Sequence, residues 1–194
     1  MSLKERIYSI LVVSASDTFN AALSALLPES SYAPVHIVHN IAAAKRCAAE
    51  KSYDFVLVNS PLPDDIGTRF AIDLSSSKGT VVLFFAKSDI HAAIHDKVAE
   101  YGVFTIPKPV SRQILLQALG WMSSARERLR QSEKKSSSIE EKMTEIRLVN
   151  RAKWLLISEL QMTEPEAHHY IEKRAMDECA TKRSIAENII NLYS

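Results

Sequence analysis

Short, mostly apolar runs alternate with amphipathic stretches along the first ~120 residues. Ile7 to Val13, Val35 to Val38, Phe55 to Val58, Thr80 to Ala86 and Val103 to Ile106 are such runs. Their length predicts strands, and Phe55 to Val58, an unbroken apolar run, predicts one covered on both faces. The stretches between them carry helix signals. Ser16 or Asp17 caps a helix through Leu27 that ends near Pro28, and Asn40 caps one from Ile41 to about Glu50. A weaker helix covers Ile66 to about Leu74, and "SSSKG" makes a turn. Ser88 or Asp89 caps a helix to Tyr101, where Gly102 stops it, and Ser111 begins one carrying Ile114, Leu115 and Leu119. Five strands alternating with five helices predict an α/β fold with a parallel sheet and right-handed crossovers. The matching architecture is a flavodoxin-like (βα)5 domain of strand order 2-1-3-4-5, with its crevice at the carboxyl ends of strands 1 and 3.

The period changes after Leu119. Trp121 to Leu160 contains no proline and is rich in Glu, Arg, Lys and Gln, all good helix formers. Leu129, Ser136, Met143 and Asn150 are spaced by seven, and Ile139 and Ile146 fall three residues after Ser136 and Met143. This heptad seam predicts a parallel homodimer through a coiled coil, with Asn150 paired to its mate. The same spacing also suits an amphipathic helix packed on its own chain. The seam weakens across "SEKKSSS", a hinge or frayed linker. Two more helices follow. Thr163 is a capping-box N-cap, with Pro165 in the first turn and Glu166 three residues on, for a helix to about Cys179. Another starts near Thr181 and carries Ile185, Ala186, Ile189, Ile190 and Leu192. The expected organisation is residues 1–120 as the α/β domain, 121–147 as a coiled-coil linker and 148–194 as a small three-helix all-α domain.

Composition narrows the function classes. The net charge of +1 gives no bulk attraction to nucleic acid or membrane, so any basic site is a local patch. Cys47 and Cys179 are far apart and lack ligand spacing, which argues against a disulfide framework or a zinc site and fits a reducing cytosol. "MSLKERIYSILVV" reads as a first strand rather than a signal peptide, and no run approaches the ~18 apolar residues that span a bilayer. A cytoplasmic protein without cofactor or metal is expected. His91 and His95, four apart on one helix, lack an evident third ligand and read as solvated, while the adjacent His168 and His169 lie on different helix faces.

Asn59 stands at the carboxyl end of the third strand, where function sits in such sheets. Leu62, Pro63 and Gly67 follow it, and Lys108-Pro109 ends the fifth strand. With these motifs, residues 7–119 resemble a receiver domain of bacterial response regulators. In that family the third strand ends in a phosphoaccepting Asp, followed by an x-x-Met-Pro-x-x-x-Gly pattern, and the fifth ends in Lys-Pro. The departures are chemical. Ser14 and Ala15 replace the pair of acids that holds Mg²⁺, and Asn59 replaces the Asp. Phe85 stands for the hydroxyl residue of strand 4 and Thr105 for the switch aromatic, so only Lys108 is kept.

Phosphoryl transfer to a carboxylate needs a carboxylate, and Mg²⁺ takes hard oxygen ligands that usually include one or two. Ser14, Ala15 and Asn59 supply no charge. Lys108 is free to hydrogen-bond the Asn59 carbonyl oxygen or to turn toward solvent. Asp17, Asp64 and Asp65 offer a displaced metal site, but equally suit a helix start and a turn. The resemblance therefore implies a pseudo-receiver. No glycine-rich phosphate loop follows strand 1.

The C-terminal segment carries "RAK", "TEPEA", "RAM" and "IAENII" in order over ~45 residues. It resembles the ANTAR domain of RNA-binding antiterminators, with Trp154 where that family usually has glycine. The resemblance implies a non-enzymatic dimer that binds RNA hairpins in nascent leader transcripts. Arg151, Lys153, Lys173, Arg174, Lys182 and Arg183 are the bases available to phosphates or loop bases. A DNA-binding regulator is the rival reading, weakened by an apolar third helix poor in base-reading side chains. A protein-interaction adaptor docking a partner through the pseudo-receiver is compatible with either.

Overall fold

Five parallel strands, β1 Tyr8–Val13, β2 Tyr32–Val38, β3 Phe55–Asn59, β4 Val81–Lys87 and β5 Phe104–Lys108, form one sheet. Their order is β2-β1-β3-β4-β5, the flavodoxin-like order. The structure is a computed structural model and describes residues 6–76 and 79–193. Helices α1 Asp17–Ser24, α2 Ile41–Glu50, α3 Thr68–Ser75 and α4 Ser88–Val98 alternate with the strands. Helix α5 runs without interruption over Arg112–Leu160, followed by α6 Glu164–Asp177 and α7 Lys182–Tyr193. The chain divides into two compact units between Glu133 and Lys134.

In the first unit the period-two alternation of strand side chains builds two cores. Leu11, Val13, Val56, Val58, Val82 and Phe84 pack with Ile41, Ala44, Phe70 and Ile94 of α2, α3 and α4. Ile10, Val12, Phe55, Leu57, Leu83 and Phe85 pack with Leu23 of α1 and with Leu115, Leu119 and Met122 of α5. The register sets Asn59 opposite Phe85 and Val13 opposite both Val38 and Val58, so β1 and β3 end side by side.

Helix starts follow local chemistry. Ser16 Oγ accepts the Phe19 N–H at 3.3 Å and Asn40 Oδ1 accepts the Ala43 N–H at 2.7 Å. Gly67 precedes α3 at φ 91°, and a Cβ there would lie 3.0 Å from Val58 Cγ1, so the chain needs glycine at this turn.

In the second unit, Ala152, Leu156, Ala167, Ile171, Ile185, Ala186 and Ile189 form a separate core from the end of α5 and from α6 and α7. The Glu166 carboxylate accepts the Thr163 N–H at 2.8 Å and its hydroxyl at 2.7 Å, which sets the start of α6 as the capping box predicts.

Several boundaries differ from expectation. α1 ends at Ser24, before Leu27, and β2 begins at Tyr32, where Tyr8 N donates to Ser31 O just ahead of the strand. α3 starts at Thr68 rather than Ile66, because Gly67 turns the chain. Lys87, not Ser88 or Asp89, is the N-cap of α4, and the Ser88 hydroxyl instead donates to Lys108 O at 2.5 Å. A 3-10 turn over Ala99–Tyr101 carries the chain from α4 to Gly102. The "SEKKSSS" stretch is helical rather than a break: α5 is continuous through it, and Ser136 and Ser137 bond Glu140 and Glu141 one turn on. Of the "SSSKG" turn, Ser77 and Lys78 lie outside the described residues.

Candidate functional sites

The strand ends of the first unit converge on Asn59, which is almost fully buried. Its Nδ2 donates to Ser14 Oγ at 2.9 Å, and its Oδ1 accepts from Lys108 Nζ at 2.9 Å. Lys108 Nζ also donates to the Ser60 carbonyl oxygen. Ser14, wholly buried, is held by its own N–H to Val38 O at 2.8 Å, and its Oγ accepts the Ser16 N–H at 3.2 Å. Of the two alternatives open to Lys108, the structure therefore takes the amide rather than solvent. Burial, reinforced by the Lys87 charge, holds the Lys108 ammonium below its ordinary value.

The cluster is a chain of neutral acceptors ending on one cation. No described carboxylate hydrogen-bonds or pairs with it. Asp64 turns its carboxylate to the start of α2, accepting the Ile41 and Ala42 N–H groups at 2.9 Å each, and these bonds lower its pKa. Asp65 accepts the Gly67 N–H at 2.6 Å, and Asp17 lies in the first turn of α1. The acids near the strand ends thus serve helix starts and a turn. A donor set of hydroxyl and amide, with the amide oxygen already bound to an ammonium, does not fit Mg²⁺.

The remaining positions scatter. Ala15 is exposed and Phe85 is buried against Phe19 on the α1 and α5 side, ring centroids 5.1 Å apart. Thr105 does not join the Asn59 cluster. Its hydroxyl lies 3.1 Å from His91 Nε2 and 2.8 Å from His95 Nδ1, so those histidines hold a strand hydroxyl rather than only solvent. Sequence reasoning missed a second polar centre at the opposite strand ends. Asp54 accepts Arg126 Nε and Arg130 Nη2 at 2.9 Å each and the Ser9 N–H at 3.0 Å. Nothing local in the sequence signals it, since its partners lie on β1 and, 72 and 76 residues on, α5.

In the second unit, four of the six expected basic residues are engaged with glutamates. Lys153 meets Glu164 at 2.6 Å and Lys182 meets Glu172 at 2.6 Å. Arg174 meets Glu178 at 2.6 Å and Arg183 meets Glu187 at 2.9 Å. Arg174 also lies 5.9 Å from the centre of the Tyr170 ring. Arg151 and Lys173 are exposed and have no hydrogen-bond or ion-pair partner among the described residues. Leu129, Ile139, Met143 and Ile146 are exposed apolar residues of α5, and Asn150 is exposed as well.

Residues 137–190 match the family model of the ANTAR domain. The C-terminal unit carries an ANTAR domain. The chain is 25% identical over 184 residues to the transcriptional regulatory protein PdtaR of Mycobacterium tuberculosis, covering 93% of this chain and 88% of that protein. The first unit has the receiver fold. It is similar to the signal receiver domain of an HD domain-containing protein from Pseudomonas fluorescens Pf-5, with TM-score 0.57 and 20% identity over 68% of this chain and 96% of that one. It is also similar to a structure from a family of streptococcal redox sensors evolved from two-component response regulators, with TM-score 0.56 and 25% identity over 64% of this chain and 55% of that one. A receiver fold and an ANTAR domain are thus joined in one chain through helix α5. None of its described helices is long and apolar enough to cross a membrane.

Proposed function

We propose that this protein is a response-regulator-like transcription antiterminator, which binds RNA hairpins in nascent leader transcripts as a dimer and whose receiver does not accept phosphate. The observation that carries the reading is the ANTAR match over residues 137–190, since ANTAR domains bind RNA. Similarity along most of the chain to a transcriptional regulatory protein supports it. In the second unit Arg151, Lys173 and Arg183 are exposed, and Lys153, Arg174 and Lys182 are partly buried. The pairs of Lys153, Arg174, Lys182 and Arg183 with glutamate involve exposed carboxylates, and water and salt screen such pairs, so phosphates can compete for these bases. The role is regulatory, not enzymatic, in a cytoplasmic setting. At the receiver, the neutral Asn59–Ser14 pair offers no carboxylate to accept a phosphoryl group, and a protein partner docking on this unit is the input that remains.

The test is binding to hairpin RNA and to duplex DNA of equal length across a salt series. The hairpin is bound preferentially, and a Lys153→Ala, Arg174→Ala double variant binds it more weakly, with a salt slope shallower by roughly 0.7–0.9 per lost phosphate contact. Equal affinity for the DNA would favour a DNA-binding regulator.

A further inference from the structure

Trp154 is 71% exposed on α5, although indole is the largest apolar side chain a protein can bury. The opposite side of the same helix turn is committed to the core, with Ala152 and Leu156 fully buried. Arg147, Arg151, Trp154 and Ser158 are spaced four, three and four apart, which stacks them on one stripe of the helix. All four are exposed. Arg147 and Arg151 have no hydrogen-bond or ion-pair partner among the described residues, in contrast to Lys153, which holds Glu164. The stretch Ile146 to Ser158 contains no acid between Glu145 and Glu159, so the stripe presents two guanidinium groups beside the indole.

We infer that Trp154 is a stacking platform for an unpaired RNA base, and that Arg147 and Arg151 hold the phosphates flanking that base. The inference rests on the proposed RNA binding and specifies where on the domain an unstacked loop base goes. An aromatic face accepts any base, and an adjacent guanidinium binds a phosphate in a bidentate fork. A second copy of the chain is a poorer occupant. In a parallel pair joined through this stripe, Arg147 and Arg151 would face their own counterparts, like charge against like. The seam residues Ile139, Met143 and Ile146 supply an uncharged contact instead. A polyanion with exposed rings complements both properties of the stripe.

The sequence has two tryptophans, so Trp121→Phe leaves Trp154 as the sole indole emitter. The probe is a pool of RNA hairpins with a common stem and randomised loop, with fully paired RNA of the same length as control. Hairpins quench Trp154 emission on binding and the paired RNA does not. Trp154→Leu, which keeps apolar bulk but no ring, weakens hairpin binding by about 5- to 150-fold, while Trp154→Phe keeps most of it. Arg147→Gln and Arg151→Gln each flatten the salt slope by roughly 0.7. Light scattering on the Leu variant shows an unchanged oligomeric state. Unchanged hairpin affinity in Trp154→Leu overturns the stacking role while leaving RNA binding intact. Loss of association between copies in that variant assigns the indole to the dimer contact instead. If the wild-type chain enriches no hairpin from the pool, the RNA-binding reading itself falls, and this inference with it.

Discussion

Lys108 Nζ lies 2.9 Å from Asn59 Oδ1, and Asn59 Nδ2 lies 2.9 Å from Ser14 Oγ. The two bonds fix the amide orientation, because only the oxygen can accept from an ammonium and only the nitrogen can donate to an acceptor hydroxyl. A carboxylate at position 59 could accept from both neighbours but would still lack a second acid to share a divalent cation.

Incubation with acetyl phosphate and Mg²⁺ should therefore leave the intact mass of the wild-type chain unchanged. Asn59→Asp alone should also remain unmodified, because Ser14 and Ala15 bring no charge to the metal position. A stoichiometric gain of one phosphoryl group on the wild type, abolished by Asn59→Ala, would refute the inert receiver.

Asp54 and Arg126 have side chains only 14% and 13% exposed, which makes their contact more consequential than a surface pair. Burial raises the Asp54 carboxyl pKa, but the Ser9 N–H and the Arg126 and Arg130 guanidinium groups outweigh it and bring the net value below the ordinary one. A depressed folded pKa means stabilisation that is complete above the unfolded value of about 3.9 and lost as pH falls through the folded value. Asp54→Asn should cost about 1–3 kcal/mol near neutral pH by urea unfolding, and the gap from wild type should begin to narrow near pH 4 and close only below the depressed folded value. A gap independent of pH would show that the ion pairs are not its source.

Gly67 carries φ 91° with Val58 and Ile41 side chains within 3.2 Å of where a Cβ would stand. Gly67→Ala should lower stability by about 1–3 kcal/mol, from the left-handed backbone and the crowding together. Measurement by urea unfolding decides it, and an unchanged midpoint would contradict the close approach.

Ile139 and Ile146 are 58% and 59% exposed on a continuous helix, so their apolar surface is open to a partner helix. Light scattering at micromolar concentration should report a dimer, and Ile139→Glu with Ile146→Glu should convert it to monomer. A monomeric wild type, or a dimer indifferent to both charges, would remove the seam.

What the sequence by itself determined is local and periodic. Short, mostly apolar runs announced the strands, and Ser16, Asn40 and Thr163 announced helix starts, because a cap acts on amides two or three residues away. Asn59 and Lys108 were legible as strand-end residues for the same reason, and their meeting followed once the strand order did. The Ser-rich run reads as a break because serine favours breaks in isolation, whereas here α5 is helical through it and Glu140 and Glu141 one turn on engage the Ser136 and Ser137 hydroxyls. Only the tertiary structure decided which face Phe85 takes, that Thr105 meets His91 and His95, and that Asp54 gathers arginines from residues more than 70 positions away. It also decided which basic residues already hold a glutamate and which, such as Arg151, do not. Periodicity assigns a side chain to a face of its own element. Its partner depends on the register and packing of elements distant in the chain, and these are set by the burial of both cores at once.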